Sequence, residues 1–313
     1  MTASDKRKLA ETKKRHGYTG FIIVGIPSVL AYLGPLHWTF DLFSPFRLQY
    51  TVISLVYLLL CVLWRDYLAV GCYGVLFGLN LHFVIPALVD PVEEQATFDV
   101  RVMAHNVNVQ NQKVEPVVEQ IDVEDPAVVF LLEPRREFFD AIGEHSWSRY
   151  RYYYERSDAF SMAIFSKYEM YLTPKVEGGL PFFIVDIEHE RGPMRIVGVH
   201  APLPWDQQRR HRNLRKAAIE IADHESPGVI IGDFNMTPYN DHFRKIFDTR
   251  DIRCSDRGLG VKPTWPDAPI DFLKIPIDHI CINKGFKFAA YRTLDALGSD
   301  HNAIVADLIL TDR

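Results

Sequence analysis

Three apolar runs occupy the N-terminal part of the chain, at about residues 18–36, 48–64 and 67–89. Each approaches the ~20 residues that a helix needs to cross a bilayer. Nearly continuous apolarity leaves no polar stripe of the kind a helix shows on the surface of a soluble domain. Tyr18, Trp38, Tyr50, Trp64 and Tyr67 mark the edges of the runs, where amphipathic rings settle at headgroup level. A cleaved leader also begins with a basic segment and an apolar core. Here two more runs follow, and His37-Trp38-Thr39-Phe40 offers no small-residue cleavage motif, so three retained transmembrane helices are expected.

Residues 1–17 carry Lys6, Arg7, Lys8, Lys13, Lys14 and Arg15 against Asp5 and Glu11. Cationic flanks stay on the cytoplasmic side, so this basic N-terminus belongs inside and three crossings put the rest of the chain outside. Arg47 in the first connection and the Arg65-Asp66 pair in the second neither help nor oppose that orientation. Loss of one crossing would reverse it. Gly74 and Gly78 form a small-xxx-small pair expected to serve packing within the helical bundle, and Asn80 and His82 are expected to hydrogen-bond at the interface.

Residues 90–97, beginning Asp90-Pro91-Val92-Glu93-Glu94, read as a short linker rather than a long tether. The domain at 98–313 alternates strand and helix patterns. Strands are expected at Val100 to Val109, Ala127 to Leu132, Phe160 to Phe165, Phe182 to Ile187, Met194 to Val199 and Val229 to Ile231. Helices are expected at Val114 to Ile121 and Gln207 to Ala222. Many strands and few helices fit an α+β arrangement of two packed sheets covered by helices better than a doubly wound sheet.

Residues 97–313 hold 27 Lys and Arg against 33 Asp and Glu, a net charge of −6. An acidic balance weakens a grip on duplex nucleic acid, which needs clustered cations to displace counterions. Cys61, Cys72, Cys254 and Cys281 are too scattered for a disulfide framework or a CxxC zinc site. Cys254 and Cys281 can pair only on neighbouring strands in an oxidising compartment; two buried free thiols are the expected state.

The most specific chemical signal is Val229-Ile230-Ile231-Gly232-Asp233-Phe234-Asn235, a buried strand that stops at glycine and then presents a carboxylate and a carboxamide two residues apart. Alternation turns both side chains to one side. Alone this is as ordinary as a turn. Its company is informative: Glu133 follows the apolar Leu131-Leu132, Asn106 lies in another strand, and Ile277-Asp278-His279 and Ser299-Asp300-His301 add acids near the end. Hard oxygen ligands of this kind suit magnesium or manganese (Mg2+ or Mn2+).

In order, Asn106, Glu133, Ala163-Ile164-Phe165-Ser166, His200, Gly232-Asp233-Phe234-Asn235, Pro276-Ile277-Asp278-His279 and Gly298-Ser299-Asp300-His301 resemble the motifs of the endonuclease/exonuclease/phosphatase superfamily. The resemblance covers about residues 98 to 310. Val199-His200-Ala201-Pro202-Leu203-Pro204, Pro263-Thr264-Trp265-Pro266 and the apolar spans are similar to membrane-anchored bacterial members. The chain departs at Ser161, where glycine is usual, and at Lys167, where arginine is common.

The resemblance implies a four-layer α/β/β/α sandwich. It implies Glu133 as a metal ligand, with Asn106 and Asp300 completing the shell directly or through water. Asp233 would orient or deprotonate the attacking water, or protonate the leaving oxygen. Asn235 would orient phosphate or water, His301 with Asp278 would form an acid–base dyad, and His200 would contact the phosphate. His279, on the opposite face of its strand, is expected to be structural, Trp265 to wall the cleft, and Arg135-Arg136 and Arg209-Arg210-His211-Arg212 to be solvated charge.

The expected function is a membrane-anchored, divalent-metal-dependent phosphoester hydrolase, working outside the cell membrane on a phosphoester substrate such as a lipid head group. An extracytoplasmic nuclease acting on nucleic acid is the rival enzyme. A non-catalytic membrane receptor or adaptor retaining the fold is the rival class, opposed by the intact set of acids and histidines. Substrate identity and oligomeric state are not legible.

Overall fold

The computed structural model describes residues 3–177 and 180–311 and divides into two compact units, residues 1–86 with 239–241, and residues 87–238 with 242–313.

The first unit is helical: α1 (Ala3–Tyr32), α2 (Trp38–Asp41), α3 (Arg47–Trp64) and α4 (Tyr67–Leu88). Arg65, in the left-handed conformation at φ 59°, ends α3, and Asp66 accepts a hydrogen bond from Ala69 N (3.1 Å) to start α4. Two stretches, Trp38–Trp64 and Tyr67–Leu88, are long and apolar enough to cross a membrane. The first expected span has no start of its own, because α1 begins within the basic segment. Its apolar part, Gly17–Tyr32, is shorter than the other two stretches. The basic side chains from Lys6 to Arg15 lie outside the described residues.

Two expectations for this unit are corrected. Asn80 is fully buried inside the bundle rather than interfacial. Its Nδ2 donates to Ser28 Oγ at 2.9 Å and its Oδ1 accepts from Arg47 Nη1 at 2.9 Å, while the guanidinium lies 4.3 and 4.4 Å from the Tyr32 and Phe83 ring centroids. A buried charge needs such partners, and these tie α1, α3 and α4 together. Gly74 and Gly78, in contrast, do not seat a helix of this bundle, since a methyl group added at either would meet nothing within 4 Å.

The second unit contains β1 (Val100–Asn106), α5 (Val114–Glu124), β2 (Val128–Leu132), α6 (Arg136–Gly143), β3 (Tyr150–Tyr154), β4 (Met162–Ser166), β5 (Met170–Glu177), β6 (Leu180–His189) and β7 (Gly192–His200). It continues with α7 (Gln207–Ala222), β8 (Gly228–Asp233), α8 (Asp241–Phe247), β9 (Arg253–Cys254), β10 (Asp278–Ile282), β11 (Phe286–Thr293) and β12 (Ile304–Leu310). One sheet runs β11-β12-β1-β2-β4-β3 and the other β5-β6-β7-β8-β10-β9.

Alternation along each strand sends one set of side chains between the sheets and the other toward helices. Val102, Phe130 and Ile164 of the first sheet meet Phe183, Ile196 and Ile231 of the second in one core. Met103, Val129 and Phe165 instead pack with Val117, Ile121 and Phe138 of α5 and α6. Val197 and Ile230 pack with Leu214, Ala217 and Phe243 of α7 and α8. Helices therefore cover the outer face of both sheets. The linker lies on this unit, Val92 N donating to Gly258 O (2.8 Å) and Gln95 N to Ala289 O (3.1 Å).

Cys254 and Cys281 form a disulfide, not the two free thiols expected. The reason is register: β9 and β10 are antiparallel neighbours with these two residues directly paired. The short β9 gave no strand signal in the sequence.

Candidate active site

The parallel pairs β1/β2 and β7/β8 bring their C-terminal ends to one edge, where Asn106 pairs in register with Leu132 and His200 with Asp233. Antiparallel β10 starts there too, placing Asp278 opposite Asp233. Gly232 is required by the backbone. At φ 138° a Cβ would lie 2.0 Å from Val199 O, so only glycine lets β8 run beside β7 and still deliver Asp233. Glu133, Asn235 and Asn108 adopt positive φ of 56°, 48° and 60° just beyond strand ends, a sparsely populated conformation that clusters at working sites.

Asp233 is at the centre. Its Oδ1 accepts from Asn235 N (2.8 Å), and its Oδ2 from Asn235 Nδ2 and Asn106 Nδ2, both at 3.3 Å. Asn106 Nδ2 also donates to Glu133 Oε1 at 3.1 Å, and Val109 N donates to Glu133 Oε2 at 3.3 Å. Asn235 is fixed from behind, its Nδ2 donating to Ala201 O at 2.9 Å and its carbonyl accepting from Arg210 Nη1 at 2.6 Å. Burial raises the Asp233 carboxyl well above the ordinary range, and the neighbouring Asp278 charge adds to this. Burial raises Glu133 as well.

His301 Nδ1 lies 2.9 Å from Asp278 Oδ2, and its Nε2 lies 3.9 Å from Asp233 Oδ2. Burial alone would lower its pKa, but the charge and hydrogen bond of Asp278, with Asp233 and Asp300 beyond, lift it to about 10. The ring is therefore an imidazolium at neutral pH, with Nε2–H turned toward Asp233. Thr264 Oγ1 accepts from the Asp278 amide at 3.3 Å, and Ser299 Oγ accepts from the His301 amide at 3.0 Å while donating to Asn106 O at 2.6 Å.

His200 Nε2 stands 3.7 Å from Asp233 and 3.8 Å from Glu133, beyond hydrogen-bond reach. Burial, with the His301 charge, lowers it to about 3, so this ring is neutral; Phe160 packs on it at 4.6 Å between centroids.

Asp300 is the one sequence candidate set apart from this cluster. Its carboxylate accepts from Asn108 Nδ2 (2.7 Å) and Trp265 Nε1 (2.9 Å). Burial would raise its pKa, but these two donors together with the His301 charge outweigh it and hold the group below the usual carboxylate range. Trp265 stands beside the site, its ring centroid 6.4 Å from that of His301.

Asp233, Asp278 and His301 place ligand-type atoms within 4.8 Å of one another. A protonated imidazole has no lone pair for a metal, however. The side better suited to a hard cation is that of Glu133 and Asn106, beside Asp233: the partly exposed Glu133 and the buried Asp233 carboxylates share one amide donor, and oxygen ligands of this type match magnesium or manganese. The amide would have to present its oxygen in place of its nitrogen.

Arg210 is a correction. It is 1% exposed and holds the Asn235 carbonyl, where solvated charge was expected. Ser161 uses its hydroxyl to bridge the Arg156 backbone, with N and O of that residue both at 3.1 Å, and does not reach the acids. Lys167 pairs with Asp125. His279 turns away, its Nε2 bonding Met236 O at 2.9 Å among Phe234 and Phe243. Asn108 was not anticipated; its only sequence signal was lying two residues past Asn106.

Residues 103–301, more than half of the chain, match the profile of the Endonuclease/Exonuclease/phosphatase family, and the chain belongs to that family. Members are generally hydrolases acting on phosphoesters. Among solved structures the fold is similar to an endonuclease/exonuclease/phosphatase from Bacteroides vulgatus, at 18% identity and TM-score 0.58, covering 69% of this chain and 100% of that one. A protein of the same description from Beutenbergia cavernae DSM 12333 shows 18% identity and TM-score 0.54, over 68% of this chain and 72% of that one. D. rerio TDP2 complexed with single strand DNA product shows 13% identity and TM-score 0.56, over 67% and 98%. At these identities the likeness is one of fold. No curated protein sequence matches the chain significantly.

Proposed function

We propose that this protein is a membrane-anchored, divalent-metal-dependent hydrolase of phosphoesters, acting on lipid head groups outside the cytoplasm. The observation that carries the reading is the position of Asp233, between the Glu133–Asn106 pair on one side and the Asp278–His301 dyad on the other. A cation held by Glu133 and Asn106, beside Asp233, would supply charge that neutralises a phosphoryl oxygen. Asp233, buried at the centre of the cluster, accepts the proton of the water whose oxygen attacks phosphorus. As the bond from phosphorus to the leaving oxygen breaks, the His301 imidazolium, held by Asp278, donates from Nε2 to the negative charge that develops. Asn235 and neutral His200 orient the phosphate.

The membrane half rests on the two stretches long and apolar enough to span, with the shorter apolar part of α1, Gly17–Tyr32, about 24 Å long as helix, as the third crossing. The Cys254–Cys281 disulfide supports the outer side, because such bonds persist in oxidising compartments. A net charge of −6 in the catalytic region favours a lipid ester over nucleic acid, although D. rerio TDP2, of the same fold, was crystallised with single strand DNA product.

The test is full-length protein in detergent with magnesium, assayed on phospholipid, a soluble phosphodiester and single-stranded DNA. Lipid and diester should be cleaved. EDTA should stop the reaction, and Asp233→Asn should lower the rate by roughly 10²–10⁴. Cleavage of DNA alone would sink the lipid reading. Protease added to intact cells should reach the catalytic unit; full protection would reverse the orientation.

A further inference from the structure

The turn after His200 and the helix that follows carry a surface that the chemistry above does not use. Leu203 and Trp205 are 42% and 62% exposed, within five residues of the active-site edge. Behind them α7 buries Leu214, Ala217, Ala218 and Ile221 against the sheet and leaves Gln208, Arg212 and Arg215 in solvent. These three, with His211, lie at i, i+4, i+7 and i+3 on one face of the helix and line a cavity of about 280 Å³. Among the described residues no carboxylate lies within ion-pair distance of Arg212 or Arg215, unlike Arg209, which pairs with Asp206 at 2.8 Å. The turn's exposed tryptophan and leucine and the helix's arginines together offer an apolar anchor beside cationic charge, the pairing that a lipid headgroup surface attracts.

We propose that the outer face of α7, with the Leu203–Trp205 turn, docks on the anionic headgroups of a bilayer and so brings the active-site edge down to the lipid surface. The inference rests on the membrane half of the preceding reading. Charge decides the occupant: Arg212 and Arg215 attract lipid phosphates, and the indole settles at the headgroup level where one end of the ring is wet and the other apolar. An anionic surface held there also explains how a domain of net negative charge can work on a membrane, since the field it presents is set by this local row and not by the total.

The test needs no turnover. Full-length protein is placed in nanodiscs of phosphatidylcholine, with or without phosphatidylglycerol, containing lipids brominated near the headgroup. Emission of the wild type is compared with that of Trp205→Phe to isolate the Trp205 share. That share should be quenched at least twofold more strongly when phosphatidylglycerol is present. Arg212→Gln/Arg215→Gln should reduce the difference, and Arg212→Glu/Arg215→Glu should abolish it. Equal quenching of wild type and Trp205→Phe, or quenching indifferent to lipid charge, overturns the proposal. So does a single-stranded oligonucleotide that displaces Trp205 from the lipid, which would assign the surface to nucleic acid. A chain that does not enter discs sinks the anchoring reading together with this one, whereas a chain that enters and shows no Trp205 quenching sinks docking alone.

Discussion

Asp278 Oδ2 and His301 Nδ1 are 2.9 Å apart with both side chains buried, and each partner's backbone is fixed separately, Asp278 by Thr264 and His301 by Ser299. This pair sets the proton inventory of the site. A group that must stay protonated to act loses activity as pH rises through its pKa, which for His301 is about 10. A group that must stay deprotonated loses activity as pH falls through its own. For Asp233, raised by burial and by Asp278, that limb lies above the ordinary carboxylate value of ~3.9.

Asp278→Asn removes one charge that lifts both groups. Both limbs of the kcat/KM profile should therefore move to lower pH, the alkaline one by roughly 1–3 units. A pH series on a soluble diester reads this directly. An alkaline limb that does not move would mean that His301 is not the acid.

The Asn108 and Trp265 side chains hold Asp300 at 2.7 and 2.9 Å. If Asp300 helps to bind the cation, loosening it should show in metal affinity before it shows in stability. Trp265→Phe and Asn108→Ala should each raise the magnesium concentration for half-maximal rate by about 10–100-fold. An unchanged metal dependence with a reduced rate would assign Asp300 to substrate instead.

Buried neutral histidines predict an acid weakness. Burial lowers His105 and His279 to about 4 and His200 to about 3, each below the ~6.5 of an unfolded chain. The stability they contribute is complete above pH 6.5 and is lost as pH falls toward 4, at up to about 1.4 kcal/mol per unit for each ring. His301 acts in the opposite sense, its share being complete below 6.5 and lost toward 10. Thermal melts from pH 7 to 4 should fall steeply, and His279→Gln, whose side chain turns away from the chemistry, should flatten the slope. A slope that does not change would remove His279 from the account.

The disulfide joins residues 27 apart in sequence. Closing a loop of that length in the unfolded chain stabilises the fold by about 3.5 kcal/mol. Cys254→Ser/Cys281→Ser, melted beside the wild type with and without reductant, should lose most of that. Equal midpoints in all four samples would show that the bridge does not stabilise the unit.

What the sequence disclosed was whatever a strand end discloses by itself. An apolar run stopping at Glu133 or at Gly232-Asp233 reads as a buried strand delivering a carboxylate, and seven of the eight residues singled out, all but Asp300, meet within one cluster around Asp233. Helix α7 also came out at the residues expected, because its apolar side is periodic. The remainder depended on neighbours in space. Arg210 sits in a basic run that looks solvated, and only packing of α7 against the Asn235 loop buries it. Asp300 sits beside His301 in sequence yet faces Asn108 and Trp265, since adjacent residues near a strand point apart. Strand β9 is too short to carry a pattern, so the pairing of Cys254 had no signal. The helical unit misled differently: a basic start suggested a boundary at residue 18 that α1 ignores, because lysine and arginine are good helix formers.

The Cys254–Cys281 bond makes a closed loop of the chain that passes through Thr264, Trp265 and Asp278. A peptidase that cut once at the exposed Ile270 or Leu273 would leave both new ends attached to the same molecule. Such a nicked enzyme would run as one piece until reduced, and would keep its indole and its dyad in place after the backbone had been severed between them.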